Sequence, residues 1–400
     1  MEFTEAFYND PYLTEQDSTV QSCEPCKKGY KAVLSDTIFY PEGGGQPSDR
    51  GFLVTGDGTR IPVNDVKRNG EDMVELYMES PVSSGDTVHQ VIDWDFRFSL
   101  MQNHSGEHIV SGLINREYGF ENEGFHMSDV ITIDISGELD REQIINIERK
   151  ANQAIWKNIP VNIIFPEMGE LEDLNYRSKK ELSGKVRLVN IEDTDSCACC
   201  GLHVKRTGEI GLIKILSFIR YKGGVRLEMV CGDKALLDYE RKLDSITEIK
   251  NALSVKPEEV TEAVNRVLEE SAEKSGRIAL LNSRYFDMRT AELQGDNDII
   301  FTVEKELDGQ EIRKLCDRLN KSGKAGTSVV LAPADKEDEP GEEAYLYVIG
   351  STKHDLKSAA KALNDVLKGR GGGSKEMIQG TFYADMESIK SAVNKAFGVN

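Results

Sequence analysis

Residues 1 to about 95 alternate apolar and polar positions in short runs, and glycine-rich turns separate these runs. Alternation with a period of two is typical of β-strands that have one buried face. It predicts strands over Tyr30–Tyr40, Gly51–Thr55, Met73–Met78 and Thr87–Ile92. Short strands separated by regular turns favour a small β-barrel or an open β domain.

The pattern becomes helical near Trp94. Apolar residues recur at three- and four-residue intervals over Asp95–Tyr118, and Gly119 is expected to end that helix. Strand and helix patterns then alternate up to Val230, which indicates a mixed α+β domain with helices covering one side of the sheet. The further strands are expected at Val130–Ile135, Val161–Phe165, Lys185–Ile191, Gly211–Ser217 and Val225–Val230, and the further helices at Arg141–Lys157 and near Met168–Lys179.

Highly charged helical sequence fills Lys234–Ile278, with a break at Lys256-Pro257. Two helices with apolar stripes are consistent with an αα-hairpin or coiled-coil spacer that forms a dimer interface. A helix pair packed on its own domain is an equal alternative. The remaining sequence predicts a small α/β domain. Its strands are expected at Ile299–Val303, Ser328–Ala332 and Tyr345–Ile349, its helices at Gln310–Asn320, Leu356–Lys368 and Ser388–Phe397, and an acidic loop at Lys336–Glu343.

Together these patterns predict an α+β multidomain protein, because 400 residues are more than one hydrophobic core usually serves. The expected parts are a β-barrel domain at 1–94, a mixed α+β domain at 95–233, a helical spacer at 234–278 and a small α/β domain at 279–400.

Composition narrows the expected setting. The sequence has neither a secretory signal nor an apolar run near the roughly 20 residues of a membrane span. Its seven cysteines, several of them clustered, suit metal binding or free thiols in a reducing compartment, so we expect a cytoplasmic protein. The formal net charge of −20 argues mildly against a nucleic-acid partner. Local basic stripes are conceivable at Lys205-Arg206, Arg220–Lys222 and Lys361–Arg370.

The first candidate chemistry is the segment His104-Ser105-Gly106-Glu107-His108. Residues four apart lie one turn apart on the same face of a helix, so both imidazoles can reach a single ion. Ser105 stands where the common metallopeptidase motif has glutamate, which disfavours a peptidase of that type.

The second candidate lies about ninety residues later, in Cys197-Ala198-Cys199-Cys200-Gly201-Leu202-His203. Cysteine and histidine are the usual zinc ligands. The spacing leaves open whether Cys199 or Cys200 binds. Four protein ligands would fill a tetrahedron, whereas catalytic zinc keeps one position free, so either one residue, most plausibly His203, lies outside the first coordination shell or the ion mainly organises the pocket. Cys23 and Cys26 are interpreted as two thiols at a strand end.

In this order and at this separation, the His-x3-His and Cys-x3-His motifs resemble the editing domain shared by alanyl- and threonyl-tRNA synthetases. Phe39–Gly51, with its Gly43-Gly44-Gly45-Gln46 core, is similar to the glycine-rich motif of the alanyl branch, as are Thr207–Gly211 and Gly223–Glu228. Gly369–Ser374 resembles the glycine loop of the C-terminal domain of alanyl-tRNA synthetase and DHH-family phosphoesterases. Without an aminoacylation module ahead of these motifs, the sequence resembles free-standing alanyl-tRNA editing proteins of the long AlaX type.

A homodimer formed through the spacer or the C-terminal domain is a separate expectation. The resemblance implies a zinc-dependent deacylase that removes serine or glycine from mischarged alanine tRNA, with one Zn²⁺ per chain. It implies that the zinc ligands are His104, His108, Cys199 and His203. The expected substrate-binding residues are Thr37, Gly43, Gly44, Gly45, Gln46 and Arg226, with Gly371, Gly372 and Gly373 near the tRNA backbone. The expected catalytic residues are Glu107, His126 and Gln46.

The sequence departs from the family pattern at both motifs. Ser105 and Gly106 replace the usual threonine and alanine, and Leu202 replaces a threonine that precedes the last histidine. A zinc-stabilised tRNA-binding protein without catalysis is the alternative function. Editing of threonine tRNA is less favoured by the glycine-rich motif, and a DHH phosphoesterase would need an Asp-His-His core that the sequence lacks.

Overall fold

The computed structural model describes residues 5–70, 73–166, 169–171, 174–178, 186–296, 298–334 and 343–397. The chain divides into two compact units, Met1–Ile249 and Lys250–Asn400. The multidomain α+β class is confirmed: the first unit contains a closed barrel and two further sheets, and the second contains a mixed sheet. The four-part division predicted from the sequence stays a prediction. The barrel and the α+β layer share one hydrophobic core, to which Leu53 and Ile109 both belong.

Six antiparallel strands form the barrel, in the order β1-β2-β5-β4-β3-β6, after a short helix α1. Their bounds are α1 Ala6–Asn9, β1 Glu15–Cys26, β2 Gly29–Leu34, β3 Gly51–Val54, β4 Arg60–Asn69, β5 Met73–Met78 and β6 Thr87–Ile92. The strand predicted over Tyr30–Tyr40 ends at Leu34, because the chain bends at Ser35 and then passes through the core as a buried irregular segment. The sequence analysis missed β1, in which only Ser18 and Val20 are buried among polar neighbours.

Helix α2 (Trp94–Tyr118) leaves the barrel and carries the two histidines. Asp93 caps its start by accepting a hydrogen bond from the Phe96 N–H, and Gly119 ends it in the left-handed conformation with φ 71°. The middle of the helix is buried almost all round, because different elements pack against its several faces. The prediction of this helix and of its end is confirmed.

Two antiparallel sheets accompany α2 where the sequence suggested one. Four strands pair in the order β12-β13-β8-β7, and three pair in the order β11-β10-β9. The bounds are β7 Asn122–Met127, β8 Ile131–Ile135, α3 Arg141–Trp156, β9 Val161–Ile164, β10 Leu188–Ile191, β11 Asp195–Ala198, β12 Ile213–Tyr221 and β13 Gly224–Cys231. The helix expected near Met168–Lys179 falls partly outside the described residues; the described positions 169–171 and 174–178 form a turn and an isolated bridge, not an α-helix.

The charged helical region forms α4 (Asp233–Leu253) and α5 (Val260–Glu292), with a 3-10 turn at Pro257–Glu259 between them. Both helices and the break at Pro257 were predicted. Helix α5 extends well beyond the expected end at Ile278, because no proline interrupts it and buried Phe286 packs against the second unit's core.

The second unit contains a five-stranded sheet in the order β14-β15-β16-β18-β17, in which only the β14–β15 pair is parallel. One core lies between the sheet and α5–α6, and another between the opposite face and α7–α8. The bounds are β14 Ile299–Val303, α6 Gly309–Lys321, β15 Thr327–Pro333, β16 Tyr345–Ser351, α7 Leu356–Val366, β17 Arg370–Gly373, β18 Met377–Phe382 and α8 Met386–Ala396. The predicted glycine loop is an edge strand, since Arg370–Gly373 pairs with β18. The acidic loop Lys336–Glu343 lies almost wholly outside the described residues.

Within the described part of the chain, no helix has the length and apolar character needed to cross a membrane.

Candidate metal centre

Four side chains from two distant segments meet beside α2. The possible ligand atoms of His104, His108, Cys199 and His203 all lie within 4.8 Å of one another. The two α2 histidines are one turn apart, and the other two residues follow strand β11. The expected meeting of the two motifs is therefore confirmed, and Cys199 rather than exposed Cys200 joins the group.

The outer nitrogen of each imidazole in this group has its own acceptor. His104 Nδ1 lies 2.9 Å from Gln46 Oε1, and His108 Nδ1 lies 2.8 Å from Asp195 Oδ2. Amide and carboxylate oxygens can only accept, so both Nδ1 atoms carry protons, and it is the Nε2 atoms that a neutral ring would offer to a metal. This is the arrangement that metal-binding histidines adopt.

His203 completes the set from the opposite side. Its Nδ1 lies 3.1 Å from Ser105 Oγ, and that hydroxyl oxygen also accepts a hydrogen bond from the Val204 N–H. Its Nε2 is buried and makes no hydrogen bond to the described residues. A buried ring nitrogen without a hydrogen bond is costly unless something else pairs with it. Three imidazole nitrogens and a thiolate sulfur are donors that fit zinc well.

Electrostatics favour an anionic Cys199 and a neutral His203, the states that a metal ligand needs, but favour a protonated His108, whose proton a metal would have to displace. Burial opposes ionisation of Cys199, but the charges of His104 and His108 outweigh it and hold the pKa of the thiol well below its usual value. Burial lowers the pKa of His203 well below its usual value, which favours the neutral ring. Burial also opposes charge on His108, yet the anionic Cys199 and Asp195 raise its pKa well above normal. The pocket therefore attracts positive charge.

The glycine-rich motif builds one wall of this centre. Gly43 and Gln46 pair through two backbone hydrogen bonds across a two-residue turn. Gly44 and Gly45 occupy the centre of the turn with φ 61° and 81°, values that glycine adopts without strain. The turn brings the Gln46 side chain to His104. The Leu202 N–H donates to the same Oε1 at 3.0 Å, which fixes the orientation of the amide.

Two further glycines allow close packing around the ligands. A Cβ atom at Gly201 would lie 2.0 Å from His104 Cε1, and one at Gly106 would lie 2.3 Å from Cys231 Sγ. Gly106 in the middle of α2 is therefore explained by packing against β13. The ring of Phe125 stacks on that of His104, with centroids 5.2 Å apart.

Comparison with protein families matches two segments of the chain. Residues 186–228 match the threonyl and alanyl tRNA synthetase second additional domain. Residues 8–96 match the tRNA synthetases class II (A) family. The first segment contains Cys199 and His203, and the second contains the barrel with Gln46.

The relatives cover nearly the whole chain. The alanyl-tRNA editing protein AlaX-L of Pyrococcus horikoshii is 29% identical over 96% of this chain and 95% of its own length. The alanyl-tRNA editing protein Aarsd1-B of Xenopus laevis is 29% identical over 93% of this chain and 92% of its own. The homologues that align with nearly the whole chain are thus alanyl-tRNA editing proteins.

The same sequence is also similar to a larger enzyme. The alanine–tRNA ligase of Pyrococcus furiosus is 31% identical over 98% of this chain, which corresponds to 43% of the ligase. Among solved structures, the C-Ala domain of Aquifex aeolicus alanyl-tRNA synthetase matches 25% of the chain at 27% identity. The TM-score of that match is 0.21, so it says nothing about the fold.

The other predicted site residues do not all lie beside the four-residue group. Thr37 is buried in the barrel, where its hydroxyl donates to Gln90 Oε1 at 2.7 Å and accepts from the Phe39 N–H. Glu107 is buried too, and its carboxylate accepts hydrogen bonds from Ser111 Oγ at 2.6 Å and Asn122 Nδ2 at 2.5 Å. Glu107 therefore does not point outward.

His126 and Arg226 are not brought to the four-residue group. Strand alternation puts them on the outer face of the four-stranded sheet, opposite the face on which Phe125 stacks over His104. His126 is exposed. Arg226 donates two hydrogen bonds to Asp134, at 2.5 and 2.7 Å, and lies over the Tyr221 ring. The expectation that these two side chains serve the site finds no support in their positions. Gly371, Gly372 and Gly373 lie in the second unit, in edge strand β17.

Sequence reasoning missed two residues behind the ligands, Asp195 and Arg177. Asp195 accepts from His108 and from both Nε and Nη2 of Arg177. A signal for Asp195 existed, because Asp195, Cys197 and Cys199 alternate with the period of a strand and therefore share a face. Nothing in the sequence marks Arg177.

Proposed function

We propose that this chain is a zinc-dependent aminoacyl-tRNA deacylase that removes serine or glycine wrongly attached to alanine tRNA. The observation that carries the proposal is the convergence of three imidazole nitrogens and one thiol in a chain whose homologues are alanyl-tRNA editing proteins. We place the activity in the cytoplasm, where the free cysteines would stay reduced.

The site would hold one Zn²⁺ through His104, His108, Cys199 and His203. When bound, zinc can polarise an ester carbonyl, activate water or hold the amino group of the substrate. The chain itself supplies rigid support, because each ring nitrogen on the outside of the cluster has its own hydrogen-bond acceptor. Cys199 is partly buried whereas the three histidines are fully buried, so we infer that substrate approaches from the Cys199 side.

The space beside the cluster suits the small aminoacyl group that we expect in the substrate. Exposed Gly44 and Gly45 lie against Cys200–Gly201 and the Phe125 ring, and a Cβ at Gly45 would lie 2.5 Å from Phe125. Backbone this close to the cluster leaves room for a small side chain only. Glycine and serine are the errors expected of an alanine pocket, which discriminates weakly against slightly smaller or larger side chains.

Gln46 is the strongest candidate for direct contact with the substrate. Its Nε2 is buried and makes no hydrogen bond to any described residue, while its Oε1 is fully used by His104 and Leu202. A free amide N–H beside the cluster can donate to the ester carbonyl or to a serine hydroxyl. Thr37 is a weaker candidate, since its hydroxyl is already paired with Gln90.

For proton transfer, Glu107 is the better of the two predicted residues. It is a buried carboxylate immediately before His108, whereas His126 is exposed on the opposite face of the sheet. We therefore retain Glu107 and drop His126 from the mechanism.

We assign contact with the tRNA backbone to the second unit. Its sheet borders a groove of about 1690 Å³ whose lining includes Arg313, Lys314 and Lys375. Edge strand β17 contains Gly371–Gly373, and a side chain at Gly372 would meet nothing within 4 Å, so a ligand could approach the backbone there. Backbone N–H groups and local cations can bind phosphate even though the whole chain carries a net charge of −20.

We further propose a homodimer. Helix α4 exposes Leu236, Leu237 and Leu243, and α5 exposes Val267 and Leu268. Apolar stripes of this kind on charged helices are typical of helix–helix interfaces. Light scattering during size-exclusion chromatography is expected to report twice the 44.6 kDa chain mass; a monomer at micromolar concentration would contradict the dimer.

The decisive experiment combines metal analysis with deacylation. We expect one zinc per chain, hydrolysis of serine- and glycine-charged alanine tRNA, and sparing of the alanine-charged form. Equal hydrolysis of the alanine-charged form would contradict the proposal.

Replacing Cys199 with Ala separates the enzyme from a zinc-stabilised tRNA-binding protein. An enzyme is expected to keep its fold and tRNA binding while it loses hydrolysis. Loss of folding together with the metal, in a wild-type chain that hydrolyses no substrate, would favour the non-catalytic alternative.

A further inference from the structure

A series of hydrogen bonds leads away from the metal centre, from His108 to Asp195 and from Asp195 to Arg177. His108 Nδ1 lies 2.8 Å from Asp195 Oδ2, and the Asp195 side chain is only 1% exposed. The Asp195 carboxylate then accepts from Arg177 Nε at 2.7 Å and from Arg177 Nη2 at 2.9 Å. The guanidinium thus grips both carboxylate oxygens in the bidentate geometry that orients a carboxylate most firmly.

Backbone hydrogen bonds also fix the position of Arg177. Its N–H donates to Ser196 O at 2.8 Å, and its carbonyl accepts from the Ala198 N–H at 2.9 Å. These two bonds attach residue 177 to β11 as a short parallel bridge opposite Cys197. Backbone and side chain therefore fix Arg177 relative to the strand that leads directly into Cys199.

A glycine in helix α2 leaves space for Asp195 beside His108. Gly112 lies one turn after His108, and a Cβ there would be 2.5 Å from Asp195 Cβ. Only glycine lets the carboxylate come close enough to the helix to reach the His108 ring. His108, Asp195 and Cys197 could by distance form a second metal site. Asp195 instead accepts three hydrogen bonds from Arg177 and His108, which gives it the role of an acceptor behind the histidine.

We propose that Arg177 is a positioning residue of the metal centre, which clamps Asp195 so that Asp195 holds the His108 ring with Nε2 directed at the ion. The inference rests on the zinc site of the proposed function. It concerns the affinity of that site, so its test reads zinc binding and not hydrolysis.

The expected effects follow from the order of the hydrogen bonds, which lead from Arg177 to Asp195 and from Asp195 to His108. Removing an outer group behind a metal-binding histidine typically weakens metal affinity about 10- to 100-fold. Asp195→Asn is expected to lie in that range, and Arg177→Ala to weaken zinc about tenfold. Because Arg177 acts through Asp195, the double variant is expected to bind zinc no more than about threefold more weakly than Asp195→Asn alone.

A cavity beside Arg177 provides a rescue experiment. The cavity measures about 350 Å³ and is lined by Asn122, Arg177 and Cys197 among others. Millimolar guanidinium can therefore replace the missing side chain in Arg177→Ala and is expected to restore most of the zinc affinity. Arg177→Lys keeps the charge but not the two-pronged grip, so its affinity is expected to lie between those of the wild type and Arg177→Ala.

The measurement is competition for zinc between the full chain and a chromophoric chelator, with thermal unfolding of the same samples. Arg289→Ala is the matched control, because Arg289 makes a comparable two-nitrogen contact with Glu304 in the second unit. It is expected to leave zinc affinity unchanged.

Unchanged zinc affinity in a less stable Arg177→Ala chain, additive losses in the double variant, or no effect of guanidinium would each overturn the positioning role. A wild-type chain that binds no zinc would instead refute the proposed function itself, so the two failures are distinguishable.

Discussion

The side-chain amide of Gln46 connects the glycine-rich turn of the barrel to the metal centre: its Oε1 lies 2.9 Å from Nδ1 of His104, although 58 positions separate the two residues. The same oxygen accepts the Leu202 N–H at 3.0 Å, next to His203. One amide therefore connects both halves of the centre, and its buried nitrogen makes no hydrogen bond to the described residues.

This geometry predicts that two substitutions of Gln46 have different effects. Gln46→Leu removes the acceptor for His104, so zinc affinity is expected to fall about tenfold and deacylation with it. Gln46→Glu keeps an acceptor but loses the N–H donor, so zinc binding is expected to survive while kcat/KM falls about 100-fold. Competition for zinc with a chelator and deacylation kinetics, both measured on the two variants, test this difference. An unchanged kcat/KM in Gln46→Glu would argue that the donor has no role.

Removal of the metal is expected to abolish deacylation without unfolding the second unit. A ligand that binds only the folded state stabilises it, by ~2.7 kcal/mol at a free concentration 100 times Kd. In calorimetry, a chelator is therefore expected to lower the unfolding temperature of the first unit and to leave that of the second unit unchanged. Restoration of activity by Zn²⁺ is the control, and activity that survives complete metal removal would contradict the assignment.

Gly201→Ala is expected to damage the site by displacing His104. The new Cβ would lie 2.0 Å from His104 Cε1 and 3.0 Å from Gln46 Oε1, so the ring or the backbone must move. Misplacement of a catalytic group by ~1 Å can cost ~100-fold in rate, and we expect a loss of that size. Gly276→Ala on exposed α5 is the matched control, since its Cβ meets nothing within 4 Å. It is expected to stabilise the chain by up to ~1 kcal/mol.

The buried ion pair between Asp49 and Arg97 is expected to dominate the attachment of α2 to the barrel. Both side chains are 0% exposed, and Asp49 also accepts from the Tyr40 N–H. Breaking a buried pair leaves a charge without compensation, so Asp49→Asn is expected to lower the free energy of unfolding by ~3–5 kcal/mol. Asp238→Asn, which breaks an exposed pair with Lys242, is expected to cost below ~0.5 kcal/mol. Denaturant unfolding of both variants tests the difference.

The periodicity of apolar residues predicted several elements correctly. It failed where the buried positions of an element do not follow that periodicity. The three- and four-residue spacing of apolar residues, together with Gly119 as an end signal, predicted α2 to within one residue. Strand β1 escaped notice, since both its faces are largely polar and only its pairing with β2 and β6 defines it. The run Arg370–Gly373 suggested a loop, yet hydrogen bonds to β18 make it a strand.

The amino-acid sequence by itself determined the kind of chemistry. The i, i+4 spacing of His104 and His108 places them on one face of a helix, and thiol and imidazole are zinc donors in any fold. Only the tertiary structure decided which groups support them. Gln46 and Asp195 contact the histidines, and Arg177 contacts Asp195, across segments far apart in the chain. No local pattern encodes such contacts, because they depend on how separate strands and helices pack.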